Sequence, residues 1–544
     1  MSFNSQINNN IYKSILFLLP FIYLFSFGRY GFEDSDSGFI VGMGWRILNG
    51  ELPYRDFYYV RPPLSPYLSA LYLYILPEYG QLFYIRFITY LMILLTAIMT
   101  TSILEKFYNF EELNLNKYLF SIISFFILSI GHIEFQWHTT DGIFLSILGL
   151  WILTNYKNNF GLVFLAGIIF VLSALTKQNF IIVPLLCLIF SMLSYGKKTT
   201  LFLFIGIITA ISLFYFWLFD NLLLDLYAFQ TTGVTSIKDL IFSGLINYFI
   251  NDRLLFGFVS LIFVVSIIIK KYYNKLYNIK FMSFIIILIF VLLNFSYLIL
   301  TKSGTILIRF DLTLPILITL SFIYLLLERK EKIQNHYILI ILFSIAWTAS
   351  ISWGYQTPIL FFIPIFFAII FVMSKYYNFL NNHKYNLVFT SLIIIYSIPY
   401  NLFPYRDNPI WKLDSDAGQI SIKSAYIITN NDIILKHKEL SLLLQNYKDS
   451  TVLPSVPHAY YLNNLNNNFK IDWAMDVEAA YDKKGLIKDI NQCCEYIIVE
   501  KKLFGQPIGT SESGKFYSFI TDYVINNMIL VDDNNDFFNI YKLK

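Results

Sequence analysis

The chain is expected to be a polytopic α-helical membrane protein of about 13 spans, followed by a C-terminal extracytoplasmic α/β domain. Two observations carry that expectation. First, of 544 residues 56% are hydrophobic, 19% are aromatic and only 14% are charged, where a soluble domain has about 25% charged residues. Second, the apolar residues fall into runs long enough to cross a bilayer, and the composition changes abruptly to Asn, Asp and Lys after residue 400. These features exclude a soluble enzyme, a disordered chain and a disulfide scaffold, for which three cysteines are too few. A net charge of +4 without Lys/Arg runs gives no reason to expect nucleic acid as a partner.

A span needs about 20 mostly apolar residues. Such stretches lie at 11–28, 81–104, 117–132, 141–156, 160–175, 178–195, 199–219, 254–270, 281–300, 308–327, 336–353, 358–375 and 386–400. The first is expected to remain a span: its apolar core is too long for a signal peptide, and no small-residue cleavage site follows before Glu33-Asp34-Ser35-Asp36. With the amino terminus inside, the six inner connections carry 14 Lys/Arg, and the five short outer ones carry only Lys177, Lys238, Arg253, Lys302 and Arg309. The positive-inside rule therefore sets the orientation. It leaves residues 29–80, the 220–252 loop and everything from 401 to 544 outside, and makes 1–400 the membrane domain.

In the outer tail, Ser450 to Pro454 reads as a strand running into a turn, Glu495 to Glu500, Met528 to Val531 and Phe537 to Lys542 read as strands, and Ser513 to Asn526 as a helix. About 140 residues suffice for a small α/β core. Cys493 and Cys494 are adjacent and expected to be buried without bonding to each other.

The first outer loop reads FEDSDSGFIVGMGWRILNGELPYRDFYYVRPPLSPYLSALYLYIL. Phe39, Ile40, Met43, Trp45, Ile47 and Leu48 suit a helix lying in the membrane interface, with Asp36 and Ser37 at its N-cap and Asn49-Gly50 at its end. A carboxylate there faces the positive end of the helix dipole and can accept a proton from a hydroxyl. The same acids, Asp34 and Asp36, also serve a loop simply by capping and solvating it. Arg61, Lys177 and Arg309 fall on the same face, where headgroup contact is the plain alternative to a site. The next outer loop, Gly131 to Asp141, gathers Glu134, His138 and Asp141, which could hold a divalent cation, although their spacing matches no established metal motif.

An acid opening the first outer loop, then W-R-I-L-N-G-E-L-P-Y-R-D-F, then R-P-P-L, resembles the polyprenyl-phosphate-sugar-dependent (GT-C type) glycosyltransferases, in particular the protein O-mannosyltransferases and lipid A aminoarabinose transferases. Leu175-Thr176-Lys177, Arg309-Phe310 followed by Pro315, and Val452-Leu453-Pro454 with Tyr460-Tyr461 match further family elements in order. The family often has Asp-Glu where this chain has Asp36-Ser37, and Lys where it has Arg61. The resemblance implies a GT-C-like fold and a sugar donor carried on a polyprenyl phosphate. It implies a single inverting displacement onto a lipid, glycan or protein of the cell envelope, at the extracytoplasmic face of a bacterial-type inner membrane. It makes Asp36 the base, with Asp34 the neighbouring acid, and Arg61, Lys177 and Arg309 the donor-phosphate residues.

Two rival readings remain. A surface-polysaccharide polymerase or ligase predicts a large late loop flanked by spans, where this chain has a terminal domain. A transporter or lipid flippase predicts mid-membrane ionisable residues and repeated halves, and the sequence shows neither.

Overall fold

The computed structural model describes residues 3–113, 115–232, 333–350, 401–479, 482–503, 506–508 and 518–543, with a few positions between 390 and 398. The expected spans at 254–270, 281–300, 308–327 and 358–375, most of 386–400, and Arg309 lie outside the described residues.

The apolar runs become helices at the expected places. These are α1 (Phe3–Tyr23, continued by a wider turn to Gly28), α4 (Gln81–Phe107), α5 (Lys117–Gly131), α6 (His138–Asn155), α7 (Phe160–Ala174), α8 (Ile182–Ser194) and α9 (Lys197–Asp220). Asn116 and Asn159 cap α5 and α7, accepting from amides of their first turns. Helices α7 and α9 touch through glycine: a Cβ on Gly206 would stand 2.1 Å from the Phe164 carbonyl oxygen. Small residues at a crossing permit this approach, which suits packing where lipid competes for apolar surface. Among the described residues, three helices are long and apolar enough to cross a membrane: Asn9–Gly28, Gln81–Phe107 and Lys197–Asp220. Helix α9 turns Leu201, Phe204, Ile208, Ile211, Phe216 and Phe219 outward, a face that suits hydrocarbon.

The bundle alternates in direction. At one end the Asn116 amide donates to Asn9 Oδ1 (2.6 Å), Lys106 donates to the Thr154 carbonyl, and Thr199 Oγ1 donates to the Lys157 carbonyl (3.2 Å). At the other end Arg86 donates to the carbonyls of Gly28 (2.9 Å) and Gly31 (2.7 Å), and the Leu64 amide donates to the Leu175 carbonyl (2.9 Å). Among the described residues, the connections holding Lys106, Lys117, Lys157, Lys197 and Lys198 thus share one rim, and the first loop shares the other with the Lys177 turn.

The first loop contains two helices, α2 (Asp36–Leu48) and α3 (Leu64–Ile75). The interfacial helix expected from Gly38 to Leu48 is corrected here. Every residue of α2 from Asp36 to Gly44 is buried, as is Arg46, because α3 covers one side and the C-terminal domain another. Gly38 makes that cover possible, since a Cβ there would lie 2.7 Å from the His458 amide nitrogen. The residue at the N-cap position is Ser35, which makes no side-chain cap.

The C-terminal domain is α/β. Its sheet holds β1 (Ser450–Leu453), β2 (Tyr496–Glu500), β3 (Ile529–Asp532) and β4 (Phe538–Lys542) in the order β1-β2-β4-β3. The β1–β2 pair is parallel and the others antiparallel. Strand β2 alternates: Ile497 and Val499 face one apolar cluster with Leu486, Ile490 and Val524, and Ile498 faces another with Leu440 and Leu444. Helices on both faces supply those partners. The helix expected from Ser513 runs Phe519–Asn527, capped by Ser518. Cys493 and Cys494 form a disulfide, against expectation, because the chain leaves its helix there and Cys494 turns to extended backbone (φ −151°, ψ 143°).

Candidate active site

Six of the ten charged residues between 29 and 80 are met by opposite charges from beyond residue 400: Glu33, Asp34, Asp36, Arg46, Arg61 and Glu78. Helix α10 (Asn431–Asn446) brings Lys436 and His437 to Asp34, with Lys436 Nζ 2.7 Å from Oδ2 and His437 Nε2 2.7 Å from Oδ1. Lys436 also reaches Glu500 at 2.9 Å. Burial alone would raise the Asp34 carboxyl, but Lys436 and His437 outweigh it and hold that carboxyl well below the ordinary range. Asp34 therefore fastens the C-terminal domain to the loop.

Asp36 occupies the first turn of α2 and is buried. Its Oδ2 accepts from the Tyr405 hydroxyl (2.5 Å) and lies 3.2 Å from Arg406 Nη1. The same Arg406 nitrogen lies 3.3 Å from Glu33 Oε1, and Glu33 Oε2 accepts from the Ser37 amide (3.0 Å). Two carboxyl groups thus share one guanidinium nitrogen. Burial, then the charge of Asp36, push the Glu33 carboxyl up to about 8. Asp36 Oδ1 makes no hydrogen bond among the described residues, so one oxygen is anchored and the other is not.

Beside Asp36, the Ser37 hydroxyl lies 2.8 Å from His458 Nε2 and also donates to the Glu33 carbonyl. The ring nitrogen Nε2 is therefore the donor in the first contact. Burial pushes the His458 imidazole down to about 3, so it is neutral near pH 7. Its ring stacks on Phe32 at 5.0 Å, and the two line a small pocket with Ser37, Arg86 and Gln136.

The cations predicted for phosphate fare differently. Arg61 is engaged bidentately by Glu478, with Nη1 at 2.7 Å and Nη2 at 2.5 Å from its two oxygens, and its guanidinium lies over the Phe39 ring (5.2 Å). Its expected freedom to take a phosphate is corrected accordingly. Lys177 is 4% exposed, in the extended residue between α7 and the next turn. Among the described residues its ammonium has no hydrogen bond or ion pair, while it stays within Coulomb reach of Arg61, Glu478 and His138. Asp36 in turn acts on Arg61. Asp36 and Lys177 thus each lie within Coulomb reach of Arg61.

The suggested metal set does not assemble. Glu134 Oε1 accepts from the Tyr405 amide (2.5 Å), and Asp141 Oδ2 accepts from Gln136 (3.3 Å). His138 Nδ1 is buried without a partner. Among the described residues, no three His, Cys, Asp or Glu side chains gather as a metal site.

Sequence reasoning missed Tyr405, Arg406, His458, Glu478 and Glu33. Tyr405 and Arg406 reach Asp36 across 369 residues or more, and no local pattern marks such a pair. One signal was available: a Tyr-Arg-Asp run just after the last expected span, at the level of the acid-rich first loop.

The Glu33 carboxyl has a measurable consequence. Its folded value, about 8, lies above the ordinary 4.5, so the folded state holds a proton that the unfolded chain has lost. That contribution is fully present below about pH 4.5 and is lost as pH rises through about 8. Melting temperature in detergent should fall across that window in the wild type, and Glu33→Gln should flatten the fall. An unchanged slope in the variant would refute the assignment.

No protein-family model matches the chain, and no curated protein does. Solved structures do. The chain is similar to the Archaeoglobus fulgidus oligosaccharyltransferase tethered with an acceptor peptide through a disulfide bond, at 13% identity and a TM-score of 0.45, covering 90% of this chain and 69% of that one. It is also similar to the same enzyme in complex with Zn and sulfate, at 12% identity and a TM-score of 0.43, covering 86% and 64%.

Proposed function

We propose that the chain is an integral membrane glycosyltransferase that takes a sugar from a polyprenyl-phosphate-linked donor and passes it, with inversion, to an acceptor at the extracytoplasmic face of the cell membrane. The observation that carries this reading is Lys177, a buried amine with no hydrogen bond or ion pair among the described residues, which acts on Arg61 as Asp36 does, at the end of a helix bundle. Burial pushes that amine well below the ordinary lysine range, because an uncompensated charge is costly there, and an anionic ligand would restore the charge. A lipid phosphate is suited to the place, since its tail stays in hydrocarbon and its headgroup reaches the rim.

The chemistry follows from the groups present. The acceptor's hydrogen passes to Asp36 Oδ1 as its heteroatom attacks the anomeric carbon. The bond from that carbon to the phosphate oxygen breaks on the opposite side, and its electron pair leaves with the phosphate. Lys177 meets that added charge, which grows toward the transition state, where a fixed cation is most effective. Tyr405 and Arg406 keep Asp36 oriented. Arg61 adds positive potential, and for it to contact phosphate directly Glu478 must give way. Arg309 is the third proposed cation and lies outside the described residues.

The test is turnover by purified protein in nanodiscs against a panel of radiolabelled polyprenyl-phosphate sugars, read as label transferred and free polyprenyl phosphate released. Turnover of none of them would reject the reading. With the donor that reacts, Lys177→Ala should weaken donor binding by about tenfold or more, and Lys177→Arg should recover part of it. Unchanged affinity in Lys177→Ala would remove this residue from the donor site.

A further inference from the structure

The segment that follows the last expected span leaves large apolar side chains in the open. Trp411 is 63% exposed, Ile422 51% and Tyr426 45%, and Tyr79 at the foot of α4 is 55% exposed. Exposed apolar residues scattered singly are ordinary. Tyr79, Ile422 and Tyr426 are held together. The Gly80 amide, one residue before α4, donates to the Ile422 carbonyl (2.8 Å). The Tyr426 ring packs on Tyr79 and on Phe83, both at 5.5 Å, and Phe83 packs on Phe25 at 5.6 Å. Phe25 belongs to the bilayer-length stretch Asn9–Gly28 and is itself 54% exposed. The Ile428 amide donates to the Arg29 carbonyl (2.9 Å), just past the end of that stretch. Trp411 is tied in through Phe403, at 5.4 Å, and the Ile410 amide bonds the Leu402 carbonyl (3.0 Å). Lys412, beside Trp411, is exposed.

We propose that residues 403–426 form a foot of the C-terminal domain that is seated in the lipid headgroup layer, with Trp411, Ile422 and Tyr426 entering the boundary between headgroups and acyl chains. The occupant is lipid because the Tyr426 ring packs, through the buried Phe83, on Phe25, whose exposed ring lies on the outward apolar face of the bilayer-length stretch Asn9–Gly28. Trp and Tyr favour that boundary, where an amphipathic ring meets both phases. Lys412 can lay its stem along the same surface and raise its ammonium to the phosphates. The inference is independent of the reaction proposed above. It concerns how the domain that supplies Tyr405, Arg406 and Glu478 is held at a fixed height over the bundle.

The test is tryptophan fluorescence of the full chain in phosphatidylglycerol/phosphatidylethanolamine nanodiscs, with lipids brominated near the headgroup or with acrylamide in the water. The contribution of Trp411 is the difference between wild type and Trp411→Phe, with Trp473→Phe as a buried control. Bromolipid should reduce that contribution by about twofold or more, and acrylamide should affect it little. Should Trp411→Phe fail to fold, Ile422→Trp adds a reporter at the same level, and its emission should be quenched in the same way. A reporter quenched by acrylamide and not by bromolipid would place the foot in water. One shielded from both would mean a protein surface, such as a second copy of the chain, covers it. Either result overturns the proposal.

Discussion

Asp36→Asn should lower sugar transfer by at least about 100-fold while the protein still inserts, folds and binds donor. The expectation rests on asymmetry at one carboxylate. Oδ2 is fixed by the Tyr405 hydroxyl and Arg406, and Oδ1 has no hydrogen bond among the described residues. An amide has nearly the same shape and can still meet Tyr405 through its oxygen, but it cannot take a proton. Binding should therefore survive while the chemical step fails, which separates a base from a structural cap. The measurement is single-turnover rate against donor affinity for Asp36→Asn and, in parallel, Asp34→Asn. Asp34 is gripped by Lys436 and His437, so its variant should loosen the C-terminal domain and affect rate only indirectly. Near-normal turnover in Asp36→Asn would end the general-base assignment.

The contrast between those two acids shows how far the sequence could be read. Both precede α2 or open it, two residues apart, and nothing local distinguishes a fastening carboxylate from a reacting one. The difference is made by residues about 370 to 400 positions away. The helices of the bundle were legible because an apolar run of bilayer length has few alternatives, and all four strands of the sheet were legible because short apolar runs bounded by turns have few either. The interfacial placement of α2 was misread for the same reason that Arg61 was. Amphipathic spacing and an exposed cation describe a loop on its own, whereas here the C-terminal domain covers it. Glycines at 38 and 42 were the available hint, since a helix on a membrane surface has no need of such close backbone approach.

The most specific stretch of the sequence, Trp45 to Phe57, proves to be about holding that cover in place, and Arg46 is its centre. Its Nε donates to Glu51 (2.6 Å), and its Nη1 donates to the Phe469 carbonyl (2.9 Å) and to Asp472 at 3.2 and 3.3 Å. Nη2 reaches the carbonyls of Asp56 and Asn467, both at 3.4 Å, and the guanidinium lies over Phe57 at 5.2 Å. Arg46 and Asp472 are both nearly closed to solvent. Such a pair adds little stability relative to well-packed apolar groups, because desolvation offsets much of the attraction, yet removing one partner strands the other. Arg46→Ala should therefore cost about 3–5 kcal/mol, the burden of an unpaired Asp472 and several carbonyls without donors. Arg46→Lys should recover little, since an ammonium cannot span Glu51, Asp472 and the carbonyls together. Pairing Arg46→Met with Asp472→Leu should recover much more, because the charge that remains, Glu51, is partly open to solvent, whereas Asp472 is not. Thermal unfolding in detergent, with limited proteolysis to report release of the C-terminal domain, distinguishes these outcomes. Equal losses in the single and double variants would show that the pair itself, and not the stranding of its survivor, holds the domain over α2.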